Sequence, residues 1–223
     1  MKSFRICMQN IRKWGSNSRI KMCLIMSFLF VYSYISGMWK IIPLVGEKMN
    51  PWIFPFLFCW RFMKIVFMAP IVFIFCDAPF IDSNQSYVML RTSRKKWCFG
   101  QVLYIYAGSV IYAFVLFFST IIINIGHIKW GTSWGKVLGS AGTSTVLSTL
   151  GINYTTVKVP AIVIRYYTPA QAMFFSFLLM VLSFIFIGLL IYTVNVITKT
   201  NVAGTIIAGF FVILTAVVDG NQR

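Results

Sequence analysis

The sequence predicts an all-α polytopic membrane protein, a helix bundle with about five transmembrane helices preceded by an amphipathic surface helix. Three observations carry that prediction. Hydrophobic residues fill 59% of the 223 positions and charged residues only 11%, against about 25% charged in a soluble domain. Mean hydropathy is +0.81, and a core of this size cannot hide so much apolar surface from water, so lipid has to cover part of it. Apolar runs long enough to cross a bilayer recur along the chain, separated by polar, basic linkers. No polar block is long enough for a separate soluble domain, so 1–223 reads as one transmembrane domain.

The leader, 1–21, carries Lys2, Arg5, Arg12, Lys13, Arg19 and Lys21 and no acid. Phe4, Cys7, Met8, Ile11 and Trp14 recur at helical spacing, with Arg5, Gln9, Arg12 and Lys13 off that face. The spacing predicts a helix lying on the cytoplasmic membrane surface. The first span, 22–39, is uncharged and just long enough to cross the hydrocarbon core. Tyr32, Tyr34 and Trp39 sit toward its far end, as interfacial aromatics do. With no cleavage signal, it reads as a signal anchor.

After the polar 40–50 loop comes Pro51-Trp52-Ile53-Phe54-Pro55-Phe56-Leu57-Phe58. Two prolines make a continuous helix poor here, and one reading is a helix dipping into the outer leaflet. Arg61 and Lys64 are too costly at mid-bilayer and belong near the outer interface, their stems snorkelling. The second span then runs over 62–80, kinked at Pro70. In the next linker Asp82 or Ser83 caps a short helix containing Tyr87, Val88 and Leu90. Arg91, Arg94, Lys95 and Lys96 close it, which suits a helix C-terminus. The third span is 99–125. A long external loop, 126–165, is rich in Gly, Ser and Thr. The fourth and fifth spans, 166–198 and 200–218, are joined by a tight turn at Lys199.

Loop charge sets the orientation. The leader and the 82–96 linker carry about ten Lys and Arg and fall on one side if the spans alternate. The 40–50 loop opposite carries Lys40 and Lys48. That bias puts the N-terminus in the cytoplasm of a multi-pass cell-membrane protein. The four cations of the long loop run against it, but long loops weigh less. The formal net charge of +16 therefore reads as linker charge facing anionic membrane lipids, not as a nucleic-acid-binding face.

Enzymatic constellations are nearly absent, so no catalytic activity, metal or cofactor is expected. His127 stands in the external loop with no acidic neighbour, too little for a zinc site. Glu47, Asp77, Asp82 and Asp219 are scattered, and Asp77 and Asp82 read as capping and ion-pairing groups. Cys7, Cys23, Cys59, Cys76 and Cys98 form no CxxC pair and read as small buried hydrophobes. Gly131-Thr132-Ser133-Trp134-Gly135-Lys136-Val137 approaches a phosphate loop, but it is one residue short and Val137 stands where Ser or Thr is required. A transporter driven by an ion gradient usually needs an intramembrane carboxylate. Only Asp77, at a span end, comes close, so energy for any transport would come from another subunit.

Two stretches, 75–82 (Phe75-Cys76-Asp77-Ala78-Pro79-Phe80-Ile81-Asp82) and 91–104 (Arg91-Thr92-Ser93-Arg94-Lys95-Lys96-Trp97 through Gly100-Gln101 to Tyr104), resemble permeases of type 2 ABC exporters, as does 51–58. The resemblance implies a basic N-terminal surface helix, six spans and a cytoplasmic coupling helix at 82–97. That helix would dock on a cytoplasmic ABC ATPase subunit through Asp82, Tyr87, Leu90, Arg91, Arg94, Lys95 and Lys96. It also implies a homodimer, or a heterodimer with another permease subunit, in a bacterial cell membrane. Only five spans are read here, so the chain is expected to be either truncated after the fifth or an atypical member. The rival expectation is a non-transporting accessory or assembly protein that binds partner helices. A membrane enzyme acting on lipid-linked substrates is disfavoured because the spans lack paired polar residues.

Overall fold

The computed structural model describes residues 2–80, 92–142 and 157–220, and within them the chain is helical with no strand beyond one isolated bridge, Met49 to Ile128. We number the helices α1 (Lys2–Arg12), α2 (Ser18–Ser36), α3 (Ile42–Val45), α4 (Arg61–Phe75), α5 (Arg94–Asn124), α6 (Gly135–Ala141), α7 (Ala161–Tyr166), α8 (Pro169–Thr198) and α9 (Ala203–Gly220). Among the described residues three helical stretches are long and apolar enough to cross a membrane: Ser18–Val45, Arg94–His127 and Pro169–Thr198. The apolar part of α9, Ala203–Val218, is shorter.

Helices α2, α4, α5, α8 and α9 pack into one bundle, with α4 touching each of the others. The expected segments 22–39, 99–125 and 166–198 fall on the three long apolar stretches, and 62–80 and 200–218 fall on the shorter α4 and α9. The buried stripe of α5, which includes Tyr104, Ile105, Gly108, Tyr112, Ala113 and Leu116, recurs every three or four residues and faces the core. Its other side, with Phe114, Phe118 and Ile122, is exposed, as a lipid-facing surface is. Glycine sets the closest crossing. A Cβ on Gly188 of α8 would come within 2.5 Å of Ile105 and 2.9 Å of Phe75, so α4, α5 and α8 meet where one of them has no side chain.

Inside the bundle a polar bridge ties three helices. The Tyr112 hydroxyl of α5 donates to the Phe67 carbonyl of α4 at 3.1 Å and lies 2.9 Å from the Ser27 hydroxyl of α2. Phe67 is one turn before Pro70, which lies inside α4 and has no N–H to donate. In an apolar medium such bonds hold helices together because water is not there to compete.

Helix α4 ends earlier than the expected 62–80. It has 15 residues, about 22 Å at 1.5 Å each, against roughly 30 Å of hydrocarbon. Irregular backbone flanks it at both ends, packed against neighbouring helices. Before α4, a 3₁₀ turn at Phe54–Phe56 is buried, with Phe54 edge-on to Phe117 and Phe58 near Phe184. The Tyr34 hydroxyl donates to its Phe56 carbonyl at 3.1 Å. After α4, the 76–80 turn is held by Asn195 of α8. Its side-chain NH2 donates to the Ala78 carbonyl at 2.7 Å, and its side-chain oxygen accepts from the Gly204 N–H of α9 at 2.7 Å.

The described parts of the 126–165 segment pack against the bundle and include the short helix α6 and most of α7. Trp134 donates to the Tyr167 carbonyl at 3.0 Å, and Val137 and Leu138 of α6 are fully buried. Trp39, Asn124 and His127 gather at this aromatic end. The Trp39 indole donates to Asn124 and stacks on His127, with ring centroids 4.7 Å apart.

Candidate functional site

The site lies at the opposite, basic end and begins with α1. Ser3 donates to the Lys96 carbonyl, Asn10 to the Gln101 side chain at 2.9 Å, and Trp14 to the Tyr104 hydroxyl at 2.8 Å. Both sets of numbers ascend together, so α1 runs parallel to the first turns of α5. Gly100 permits the approach, since a Cβ there would meet Ile6 and the Ser3 carbonyl at 3.0 Å. The buried face of α1 is therefore Ile6, Cys7 and Asn10, while Phe4 and Met8 are exposed. That differs from the face read in the sequence. Asn10 turns inward because Gln101 supplies a buried partner.

Below α1 opens a cavity of about 340 Å³. Asn10, Lys13 and Asn17 line its top, Arg19 and Ile20 of α2 one side, Ile74 and Asp77 another, with Phe80, Tyr104 and Asn201 closing it. Arg19 grips Asp77 with both terminal guanidinium nitrogens, one bond being 3.0 Å. Asn17 caps α2 by accepting from the Arg19 backbone N–H at 3.0 Å, which fixes the root of the arginine. The Arg19 guanidinium, by hydrogen bond, holds the Asp77 carboxyl below its ordinary value. The Phe80 backbone is left-handed, φ 57°, a conformation that costs a non-glycine residue about 1 kcal/mol. Its ring is held edge-on to Tyr104, centroids 4.7 Å apart.

Of the residues expected at a coupling surface, Asp82, Tyr87, Leu90 and Arg91 lie outside the described residues. Arg94, Lys95 and Lys96 are exposed and form the first turn of α5. This corrects their assignment to the C-terminus of a preceding helix. Cations there oppose the helix dipole, but exposure lets solvent screen the repulsion. Asp77 is an ion-pairing group, as read from the sequence. His127 rests on Trp39 rather than standing free in a loop.

No group of three or more metal-ligating side chains occurs among the described residues. The glycine loop 131–135 is no anion cradle either. Asn50 fills it, donating to the Ser133 carbonyl, and lies about 3.0 Å from where a Gly135 Cβ would sit. Lys136, the lysine of that near-motif, pairs with Glu47 at 2.7 Å.

Nothing in the sequence assigns a site role to Asn10, Asn17, Tyr104 or Asn201. Lone amides and a tyrosine carry no spacing signal, and only folding brings 10, 17, 104 and 201 together. Arg19 had one usable cue, a cation opening an apolar run, with Asp77 as an acid closing another. No protein-family model, curated protein or solved structure matches this chain.

Proposed function

We propose that the chain is the membrane-spanning subunit of an ATP-driven exporter of the type 2 ABC class, with five crossings and its basic end in the cytoplasm. A separate ATPase subunit supplies the energy, and a second permease subunit, identical or not, completes the pathway. The observation that carries this reading is the brace between α1 and α5. Helix α5 has 31 residues, about 46 Å, and exceeds the hydrocarbon core by roughly 16 Å. The contacts of α1 fall near its N-terminal end, at Lys96, Gln101 and Tyr104. A push on the exposed Arg94–Lys95–Lys96 turn therefore reaches the bundle as motion of a doubled helix, which bends less than a single one. Glu47 and Asp77 are each held in an ion pair, so neither is free to cycle a coupling ion.

The test is affinity purification from native membranes of the wild type and of a triple charge reversal, R94E/K95E/K96E. An ATPase that co-purifies with the wild type and is lost in the variant is expected. Membrane partners without any ATPase would sink the exporter reading and favour an accessory role.

A further inference from the structure

We infer that the start of α4 borders a water-filled path that takes small anions. The inference rests on the reading of α5 as a membrane span and not on an ATPase partner. Depth comes first. The Phe67 carbonyl of α4 meets the Tyr112 hydroxyl of α5, and Tyr112 is midway along the apolar 99–125 stretch. From there α4 runs toward the basic end, where Phe75 packs edge-on to Tyr104. Its first residue, Arg61, therefore stands about 9 Å from the Phe67 level, toward the aromatic end. Half the hydrocarbon core is roughly 15 Å, so Arg61 starts from hydrocarbon depth, deeper than the outer interface expected for it.

Neighbouring rings fix the same level. Phe58 lies near Phe67 and Phe184, with centroids 5.7 and 6.4 Å apart, and Tyr112 packs on Phe184 at 5.1 Å. The residues leading into α4 are thus at mid-bundle as well. Arg61 and Phe62 are exposed there.

The charge is the anomaly. An arginine facing lipid at that depth is costly, and such residues face a bundle interior or a water-filled cavity instead. Arg61 makes no ion pair among the described residues, where Glu47 and Asp77 are held by Lys136 and Arg19. The backbone before it is irregular, a 3₁₀ turn at Phe54–Phe56 followed by turns and bends up to Trp60. Non-helical backbone at membrane depth is tolerated only where protein buries it or where it lines water. Phe54, Phe56 and Leu57 are buried, but Phe58, Cys59 and Trp60 are only half-buried, so accessibility grows toward Arg61. Charge and backbone point the same way. A cation fixed on the wall of such a path draws anions and repels cations. The second subunit of the proposed function would supply the facing wall.

The experiment uses the full chain with its native cysteines replaced and one cysteine installed at a time, labelled in membrane fragments open on both sides. Phe62→Cys reports beside Arg61. Phe118→Cys is the lipid-facing control, since Phe118 is 52% exposed against 53% for Phe62 and lies as far beyond Tyr112 as Arg61 lies beyond Phe67. The reagents are an anionic sulfonate and a cationic trimethylammonium methanethiosulfonate, each rate being divided by that with a free thiol in solution. Phe62→Cys should react, about fivefold faster with the anionic reagent, and Phe118→Cys should not react. Adding Arg61→Gln should abolish the preference and leave the thiol reactive. Arg61→Cys is a second reporter and should react too. If both reporters stay as inert as Phe118→Cys in membranes, yet label once dissolved in dodecyl sulfate, lipid covers this face and the proposal fails. It fails equally if Phe62→Cys shows no anionic preference or keeps one after Arg61→Gln. None of these outcomes depends on whether an ATPase co-purifies.

Discussion

At the residue scale, two contacts hold the bundle in ways a single substitution can expose. Tyr112 is fully buried and bridges Ser27 and the Phe67 carbonyl. Tyr112→Phe keeps the ring and removes only the hydroxyl, so it should cost about 1 kcal/mol, typical of interhelical bonds in membranes. Denaturation from mixed micelles measures it. The Arg19–Asp77 pair is half-exposed, so solvent screens it and a double-mutant cycle should give coupling of about 0.5–1 kcal/mol. Its pH dependence has a definite sign. Arg19 lowers the folded pKa of Asp77, so its stabilisation is complete above about pH 4, the unfolded value. It is lost as pH falls further, through the lowered folded value. Wild type should therefore lose more stability than Asp77→Asn across that acid window.

At the element scale, helix placement depends on small residues and on Asn195. A Cβ on Gly204 would collide with the Ile191 carbonyl and lie 2.7 Å from Asn195 Oδ1. Gly204→Ala should break the 204–195 hydrogen bond and loosen α9 from α8, leaving the other helices in place. Cysteine pairs across α8 and α9 should then cross-link more slowly. Gly188→Ala acts deeper, where α4, α5 and α8 meet, and overpacking there should cost about 1–3 kcal/mol. A lowered unfolding midpoint with unchanged helical signal is the expected result.

For the whole molecule, the bundle has a basic end and an aromatic end. Arg19, Lys13 and Arg94–Lys96 mark the first, and Trp39, His127 and Trp134 the second. With all native cysteines replaced, single cysteines at Lys96 and Trp130, both exposed, test the topology in intact cells. Trp130→Cys should label with an impermeant reagent and Lys96→Cys only after permeabilisation. Labelling of both from outside would place both ends on one side and defeat the alternating arrangement of the proposed function.

Hydrophobic runs and their charged borders were enough to announce an all-helical fold and where its long helices lie. Such helices satisfy their own backbone hydrogen bonds whatever their neighbours do, so local sequence suffices for them. The irregular backbone of 51–58 was foreshadowed too, because two prolines deny it a regular helix. The early end of α4 was not legible. Its 76–80 turn can sit among apolar helices only because Asn195, more than a hundred residues later, accommodates the Ala78 carbonyl. The inward face of α1 was hidden for the same reason: Asn10 looks like a solvated amide until Gln101 lies beside it. The cavity belongs wholly to the tertiary structure. Its lining comes from the leader, the bundle helices and a tight turn, and their convergence is a property of packing that no local pattern encodes.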